Sequence, residues 1–386
     1  LACGLALAPW GEAGAEAKDP YERLNVFARV MSYIERSYVD PPDQSKLVEA
    51  AIKGMVSSLD ENSAYFTPEE YAELRKEAEG LFVGVGLELG THEGQIVVVA
   101  PIEGAPAERA GVRPGDVLRS LDGKAARGWT LREAIRRLQG AEGSEVVVEV
   151  MRGGPQGELH RFALKREPLE VDAVVSKPLG GGLAYVRVRF FQDGVATEVK
   201  GALEELEGQG EVKGVVLDLR NNPGGLLIEG VKLSDLFLKE GVIVKTQGRD
   251  RGQNQEFRAE GPGTIFAGPV VVLVNGGTAS ASEIVAGAFR DHGRGLLVGE
   301  KTYGKGSVQS IIDLKGGAGL KLTTARYYAP KGGSIQGTGF VPDVVVGPTT
   351  SQEVGEGWYK GDAPLTKAVE LLRTGQHTTE DQESEK

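Results

Sequence analysis

The chain has 386 residues, 40% of them hydrophobic and 26% charged, with a formal net charge of −11 at pH 7. That length exceeds one ordinary core and suits two or three domains, and the acidic balance excludes the basic footprint that nucleic-acid binding requires. One cysteine, Cys3, allows no disulfide framework, and the four histidines (His92, His160, His292, His377) fall in no metal-ligand spacing, so neither metal nor cofactor is expected.

Residues 1–18 open with an apolar run, Leu1 to Ala8, too short to span a bilayer. It reads as the end of a secretory signal followed by a linker. Leu1-Ala2-Cys3 also matches part of a lipoprotein cleavage site. The expected location is therefore exported, periplasmic or extracytoplasmic, with membrane anchoring through the signal left open. Residues 19–80 form a helical region. Leu24, Phe27, Met31 and Ile34 recur at helical spacing, as do Leu47, Ala51, Ile52, Met55, Val56 and Leu59. Pro41-Pro42 ends the first helix, and Thr67-Pro68-Glu69-Glu70 opens a third with a capping box.

Residues 81–166 form a β-rich module. Strands are expected over 83–89, 95–100, 116–121, 145–151 and 159–164, with one capped helix opening at Thr130 and carrying Leu131, Ile135 and Leu138 on one stripe. From 167 to 348 strands and helices alternate: strand 183–188, helix 195–206, strand 215–219, helix 228–238, strand 270–274, a helix from Ser280, and late strands at 320–328 and 344–346. Such alternation argues for an α/β core on a largely parallel sheet. Residues 349–386 hold a last helix near 364–373 and the solvated acidic tail Glu380-Asp381-Gln382-Glu383-Ser384-Glu385.

Four segments carry chemistry. Asn275 to Ile284 follows an apolar strand and opens a helix. A serine on that turn is lifted from the sheet, and the amide after it points out of a positive helix end, where an oxyanion would be stabilised. Ser280 or Ser282 could equally be a plain N-cap. Gly299 to Gln309 sets Lys305 between two glycines. A lysine serves as a base only when neutral, and burial draws such bases down toward about 7–8. The alternative is a flexible surface lysine. Gly299-x4-Gly304-Lys305 also follows a phosphate-loop pattern, but Gly306 stands where Ser or Thr should hold magnesium, and a strand follows rather than a helix. A histidine triad through His292 and Asp291 meets about 18 Å of helical rise between Ser280 and His292, leaving Asp291 to tie down a helix end. Asp218 to Gly225 ends a buried strand in glycines that admit close approach of a substrate and could supply a second oxyanion amide. Gly84, Val85, Gly86 and Leu87 make a glycine loop leading into a strand, which the helix at Leu131 and Ile135 could flank. A peptide could then pair with the strand edge and set its carboxylate on the loop amides.

Together these segments resemble the carboxyl-terminal processing (tail-specific) proteases, a serine peptidase family. The resemblance runs over roughly 20–346. It includes Gly84-Val85-Gly86, the PDZ-like turn Ala110-Gly111-Val112-Arg113-Pro114-Gly115-Asp116, residues 218–225, 278–284 and 299–309, and Leu322-Thr323-Thr324-Ala325-Arg326-Tyr327-Tyr328. Asp60-Glu61-Asn62-Ser63 and Thr278 depart from the usual pattern without touching the chemistry. The resemblance implies a multidomain α/β fold: an N-terminal helical segment, a PDZ-like β-rich domain and a crotonase/Clp-protease-like α/β catalytic core. It implies Ser280 as nucleophile, Lys305 as base, Gln309 as the base's support, oxyanion amides at Ala281 and Gly225, and Ser282 as structural. The substrates would be polypeptides with apolar C-termini. A homodimer and an adaptor or regulatory protein are compatible partners. The competing reading is a PDZ peptide-binding module on a catalytically silent core.

Overall fold

The computed structural model describes residues 20–376, apart from 79–80, 93, 103, 114, 154–156, 171 and 348–360. The signal remnant, the linker and the acidic tail read from the sequence lie outside the described residues. The chain separates into two units, Leu1–Tyr65 and Phe66–Lys386.

In the first unit, helix α1 (Pro20–Ser37) and helix α2 (Gln44–Ser57) stand on either side of the Pro41-Pro42 break. Asp43 caps α2 by accepting from Ser45 N and Lys46 N. The helical periodicity buries less than it promised. Val56 is buried, whereas Leu24, Phe27, Met55 and Leu59 are exposed, because two helices by themselves enclose little volume. The chain passes through a strand, β1 (Ala64–Phe66), into the second unit, which opens with helix α3 (Pro68–Ala78), before which Thr67 exchanges both capping-box bonds with Glu70.

The β-rich module follows. The single strand expected over 83–89 is two: β2 (Leu81–Gly84) and β3 (Leu87–His92). The chain turns between them because Gly86 sits at φ +74°, with Ala105 so close that a Cβ would lie 2.1 Å from its methyl. The module continues through β4 (Gln95–Pro101), α4 (Pro106–Arg109), β5 (Val117–Leu121), β6 (Lys124–Ala125), α5 (Leu131–Leu138), β7 (Glu145–Arg152), β8 (Glu158–Lys165) and β9 (Glu167–Glu170). One sheet runs β3-β4-β5-β7-β8, with β6 on β5, while β9 pairs back on β2. Its core includes Val85, Leu89, Val98, Leu118, Val148 and Leu164. Strand β3 is the edge of this sheet, and α5 packs beside it. On α5, Leu138 is buried and Leu131 half-buried, but Ile135 is exposed, so the expected stripe is split between the core and the groove side.

The third part is built on β10 (Val174–Gly180), β11 (Leu183–Val188), α6 (Val195–Gln209), β12 (Gly214–Asp218), α7 (Leu227–Asp235), β13 (Val242–Gly248), β14 (Gln255–Arg258), β15 (Val270–Val274), α8 (Ala281–Asp291), β16 (Leu296–Gly299), β17 (Ser307–Asp313), β18 (Gly319–Tyr328), β19 (Val344–Val345) and α9 (Ala363–Thr374). The sheet order is β10-β11-β12-β15-β16-β19, parallel except for the β10–β11 pair. Both faces are covered, which is why β12 and β15 read as unbroken apolar runs. Val215, Leu217, Val270, Val272 and Val274 face the helices α6–α8. Val216, Val271 and Leu273 face α9 through Leu365, Ala368, Val369 and Leu372. The last helix therefore covers a sheet face. In a second sheet β18 lies between β13 and β17.

Candidate active site

The strand-to-helix turn after β15 is held from below by side chains. Thr278 Oγ1 donates to Leu219 O at 2.8 Å and accepts from Asn275 N at 2.9 Å. Asn275 Oδ1 accepts from Asn221 N at 2.9 Å, and its Nδ2 donates to Asn221 Oδ1. Ser282 Oγ donates to Asn222 O at 3.0 Å, which is the structural role expected of it. The residues 219–225 and 275–282 are thus laced into one platform.

Ser280 crowns that platform with φ 59° and ψ −118°. This is a region non-glycine residues avoid, at a cost of about 1–3 kcal/mol, and such strain clusters at functional sites. An ordinary N-cap has extended backbone angles instead. Ala281 is the first residue of α8, so its amide belongs to the donors that the helix itself leaves unpaired. Gly224 presses on this turn: a Cβ there would lie 2.7 Å from Ser280 Cβ and 2.9 Å from Ala281 N. Gly225, at φ +145°, is bracketed by Phe191. Phe191 N donates to Gly224 O, and Leu226 N donates to Phe191 O. Of the two oxyanion candidates, Ala281 directly follows Ser280, and Gly225 follows the glycine that presses on it.

Lys305 lies on a loop clamped to the same turn. Glu283, 1% exposed, accepts four hydrogen bonds: from Ser280 N (3.0 Å) and Lys305 N (2.8 Å) on Oε2, and from Gly304 N (2.7 Å) and Thr302 Oγ1 (2.6 Å) on Oε1. One carboxylate oxygen holding both amides keeps the Ser280 and Lys305 nitrogens within about 6 Å of each other. Burial raises the Glu283 carboxyl above its ordinary range, and the four donors oppose that shift. Tyr327, buried on β18, donates to Ser280 O at 3.0 Å and also to Lys305 O. Burial, then the neighbouring Glu283 charge, pushes its hydroxyl well above the usual phenol range, so it stays a donor. Tyr303 N donates to Thr278 O and Gly306 N to Gln336 Oε1.

The alternatives read from the sequence fare differently. Lys305 is half-buried on a tied backbone, not on a flexible surface loop. A phosphate loop is excluded, since the amides of 304 and 305 already hold a carboxylate and β17 follows in place of a helix. His292 is the C-cap of α8, opposite Ser280, and contacts Val242 O. Asp291 accepts from Lys331 N, anchoring a loop rather than the helix end. Gln309 Nε2 donates to Ser307 Oγ at 2.9 Å and toward Thr323 Oγ1 at 3.4 Å. Glu283, Thr302 and Tyr327 were missed. The Ser280–Glu283 spacing could have signalled a capping box, but no spacing foretells a carboxylate shared with residues 302–305.

In the β-rich module, Val85 O accepts from Ala107 N and Gly86 O from Ile102 N, which fixes the loop 84–87 at the head of edge strand β3. Residues 97–152 match the PDZ domain, 182–346 match peptidase family S41, and 8–69 match the activating protease CtpB N-terminal domain. The carboxy-terminal-processing protease of Bartonella bacilliformis is 40% identical over 332 residues, covering 85% of this chain and 76% of that protein. The chain belongs to peptidase family S41. The carboxyl-terminal-processing protease of Synechocystis is likewise 40% identical, over 77% of this chain and 70% of its own. A solved photosystem II D1 C-terminal processing protease superposes with TM-score 0.59 at 33% identity, covering 90% of this chain and 96% of that one. This S41 chain is accordingly a serine peptidase with a PDZ domain, not a PDZ module on a catalytically silent core.

Proposed function

We propose that this S41 peptidase captures apolar C-terminal tails on its PDZ domain and cleaves the polypeptide with a Ser280–Lys305 dyad. The observation that carries the reading is the Glu283 carboxylate, which gathers the amides of Ser280 and Lys305 on one oxygen. Neutral Lys305 takes the Ser280 proton as Oγ attacks the scissile carbonyl, and the amides of Ala281 and Gly225 receive the oxyanion. Protonated Lys305 then returns its proton to the leaving amine. Lys305, neutral again, then takes a proton from water, which attacks the acyl carbonyl, and Ser280 Oγ leaves with that proton. Gln309, on β17 four residues beyond the base, is the residue assigned to support it. A tail would add to the free edge of β3, beside Leu131 and exposed Ile135 of α5, with its carboxylate on the amides of the loop Gly84, Val85, Gly86 and Leu87. Export to an extracytoplasmic compartment is part of the proposal, on the apolar run Leu1 to Ala8.

The test is cleavage of an unfolded reporter ending in an apolar tail, by the parent chain and by Ser280→Ala and Lys305→Ala. The parent cuts, both variants are inert while still folded, and a charged tail slows the parent. Normal cutting by Lys305→Ala would assign the base elsewhere.

A further inference from the structure

Strand β3 does more than offer an edge. Leu87 and Leu89 pack into the PDZ core, and Glu88 between them faces the other way. Its carboxylate lies 2.5 Å from Arg187 on β11 and 3.8 Å from Arg189 just beyond it. The three side chains are largely shielded, with exposures of 19%, 17% and 28%. The strand that would hold the tail is thus ion-paired to the catalytic core.

The two arginines stand at a sensitive place. Arg187 is in register with Asp218, the residue from which the loop 219–225 departs. Two residues beyond Arg189, Phe191 makes the backbone bonds that bracket Gly225. Arg187 Nε and Arg189 Nε have no hydrogen-bond partner among the described residues, while Glu88 Oε1 meets the Nη2 end of Arg187, so the cluster depends on charge more than on a complete set of bonds. Burial works against the Arg187 charge, but Glu88, Asp218 and Tyr185 outweigh it and hold the guanidinium firmly protonated.

We propose that Glu88 is a positioning residue for the oxyanion loop, lent by the PDZ domain: it neutralises Arg187 and Arg189 so that β11 and Phe191 hold Gly225 in place. This rests on the function proposed above. Without Glu88, the nearest counter-charge for Arg187 is Asp218, which Arg220 already occupies through three contacts of 2.6–3.0 Å. Competition for Asp218 would then shift the loop.

The experiment measures kcat and KM on a short fluorogenic peptide without a tail, and separately the affinity for an apolar tail peptide by fluorescence anisotropy. Glu88→Gln is expected to lose about tenfold in kcat, with KM and tail affinity at parent values. Glu88→Asp is expected to fall between the two. Glu88→Gln combined with Arg187→Gln is expected to recover part of the loss, because both charges leave together. A parent-level kcat in Glu88→Gln, a loss carried in KM or tail affinity, additive damage in the double variant, or unfolding of both Glu88 variants would each overturn the inference. A parent chain that cuts nothing would overturn it together with the proposed function, whereas a cutting parent with an indifferent Glu88 overturns this inference alone.

Discussion

In the proposed dyad, buried Glu283 sets the reaction geometry without touching substrate. Its two oxygens accept from four donors, and only a carboxylate has acceptor capacity on both sides. Glu283→Gln keeps the shape but turns one end into a donor facing N–H groups or a hydroxyl. An unmade buried hydrogen bond costs about 1–3 kcal/mol, so if the turn or the lysine loop yields, kcat should fall about 10- to 100-fold. The expected result is that loss in kcat on the reporter, with KM little changed, and a lower melting temperature. Tyr327→Phe removes a donor that the carbonyls of Ser280 and Lys305 share. It is expected to cost about 1 kcal/mol in thermal unfolding and less activity than Glu283→Gln, because the Glu283 clamp remains. Equal loss from both variants in steady-state kinetics would mean that the carboxylate is not the main tie.

At the scale of elements, the loop between β2 and β3 separates two glycines that look alike in sequence. A Cβ at Gly84 would meet Leu169 Cδ1 at 3.8 Å, an ordinary contact, while one at Gly86 would collide with Ala105 on a backbone of positive φ. Gly84→Ala should melt near the parent, and Gly86→Ala should melt several degrees lower and bind tail peptide weakly, as read by calorimetry and anisotropy. Helix α9 depends on charge in a comparable way. Asp362 caps it through Leu365 N and takes two bonds from Arg220, which also grips Asp218. Burial would raise the Asp218 carboxyl, but the Arg220 guanidinium, then Arg187, pull it below the usual range. A depressed carboxyl contributes stability that is whole above the unfolded value of about 4 and drains away as pH falls below it. Acid unfolding is therefore expected to steepen below about pH 4, and Asp362→Ala to cost about 1–2 kcal/mol at neutral pH through the lost cap. The elements legible in the sequence were those with period or punctuation: β12 and β15 as apolar runs, α3 and α5 by their caps, α8 by the turn before it. Strands β10, β13, β14 and β16 were not read, because Val174–Gly180 contains a proline and little alternation, β13 and β14 carry charges at exposed positions, and Leu296–Gly299 is only four residues long.

At the scale of the molecule, the segments proposed to carry nucleophile, base and oxyanion amides could be picked out from motif order, but what joins them could not. Glu283, Tyr327 and the Glu88–Arg187 pair tie together residues up to 99 positions apart in sequence, and only the fold brings such partners together. The same separation of parts predicts how the S41 peptidase responds to a competitor. If β3 holds the tail while Ser280 cuts elsewhere along the chain, a free apolar tail peptide occupies one site and leaves the other open. It should raise KM for the tailed reporter at constant kcat, and leave cleavage of a short tail-free peptide unaffected over the same concentrations. The titration is sharpened by Gly86→Ala, in which the tail peptide should no longer compete and the reporter should be cut no better than its charged-tail version. Should the free tail instead slow the tail-free peptide in parallel with the reporter, it would be binding across Ser280 as an ordinary product. Selection for apolar ends would then belong to the cleavage site, leaving the PDZ edge strand with the structural task that Glu88 gives it.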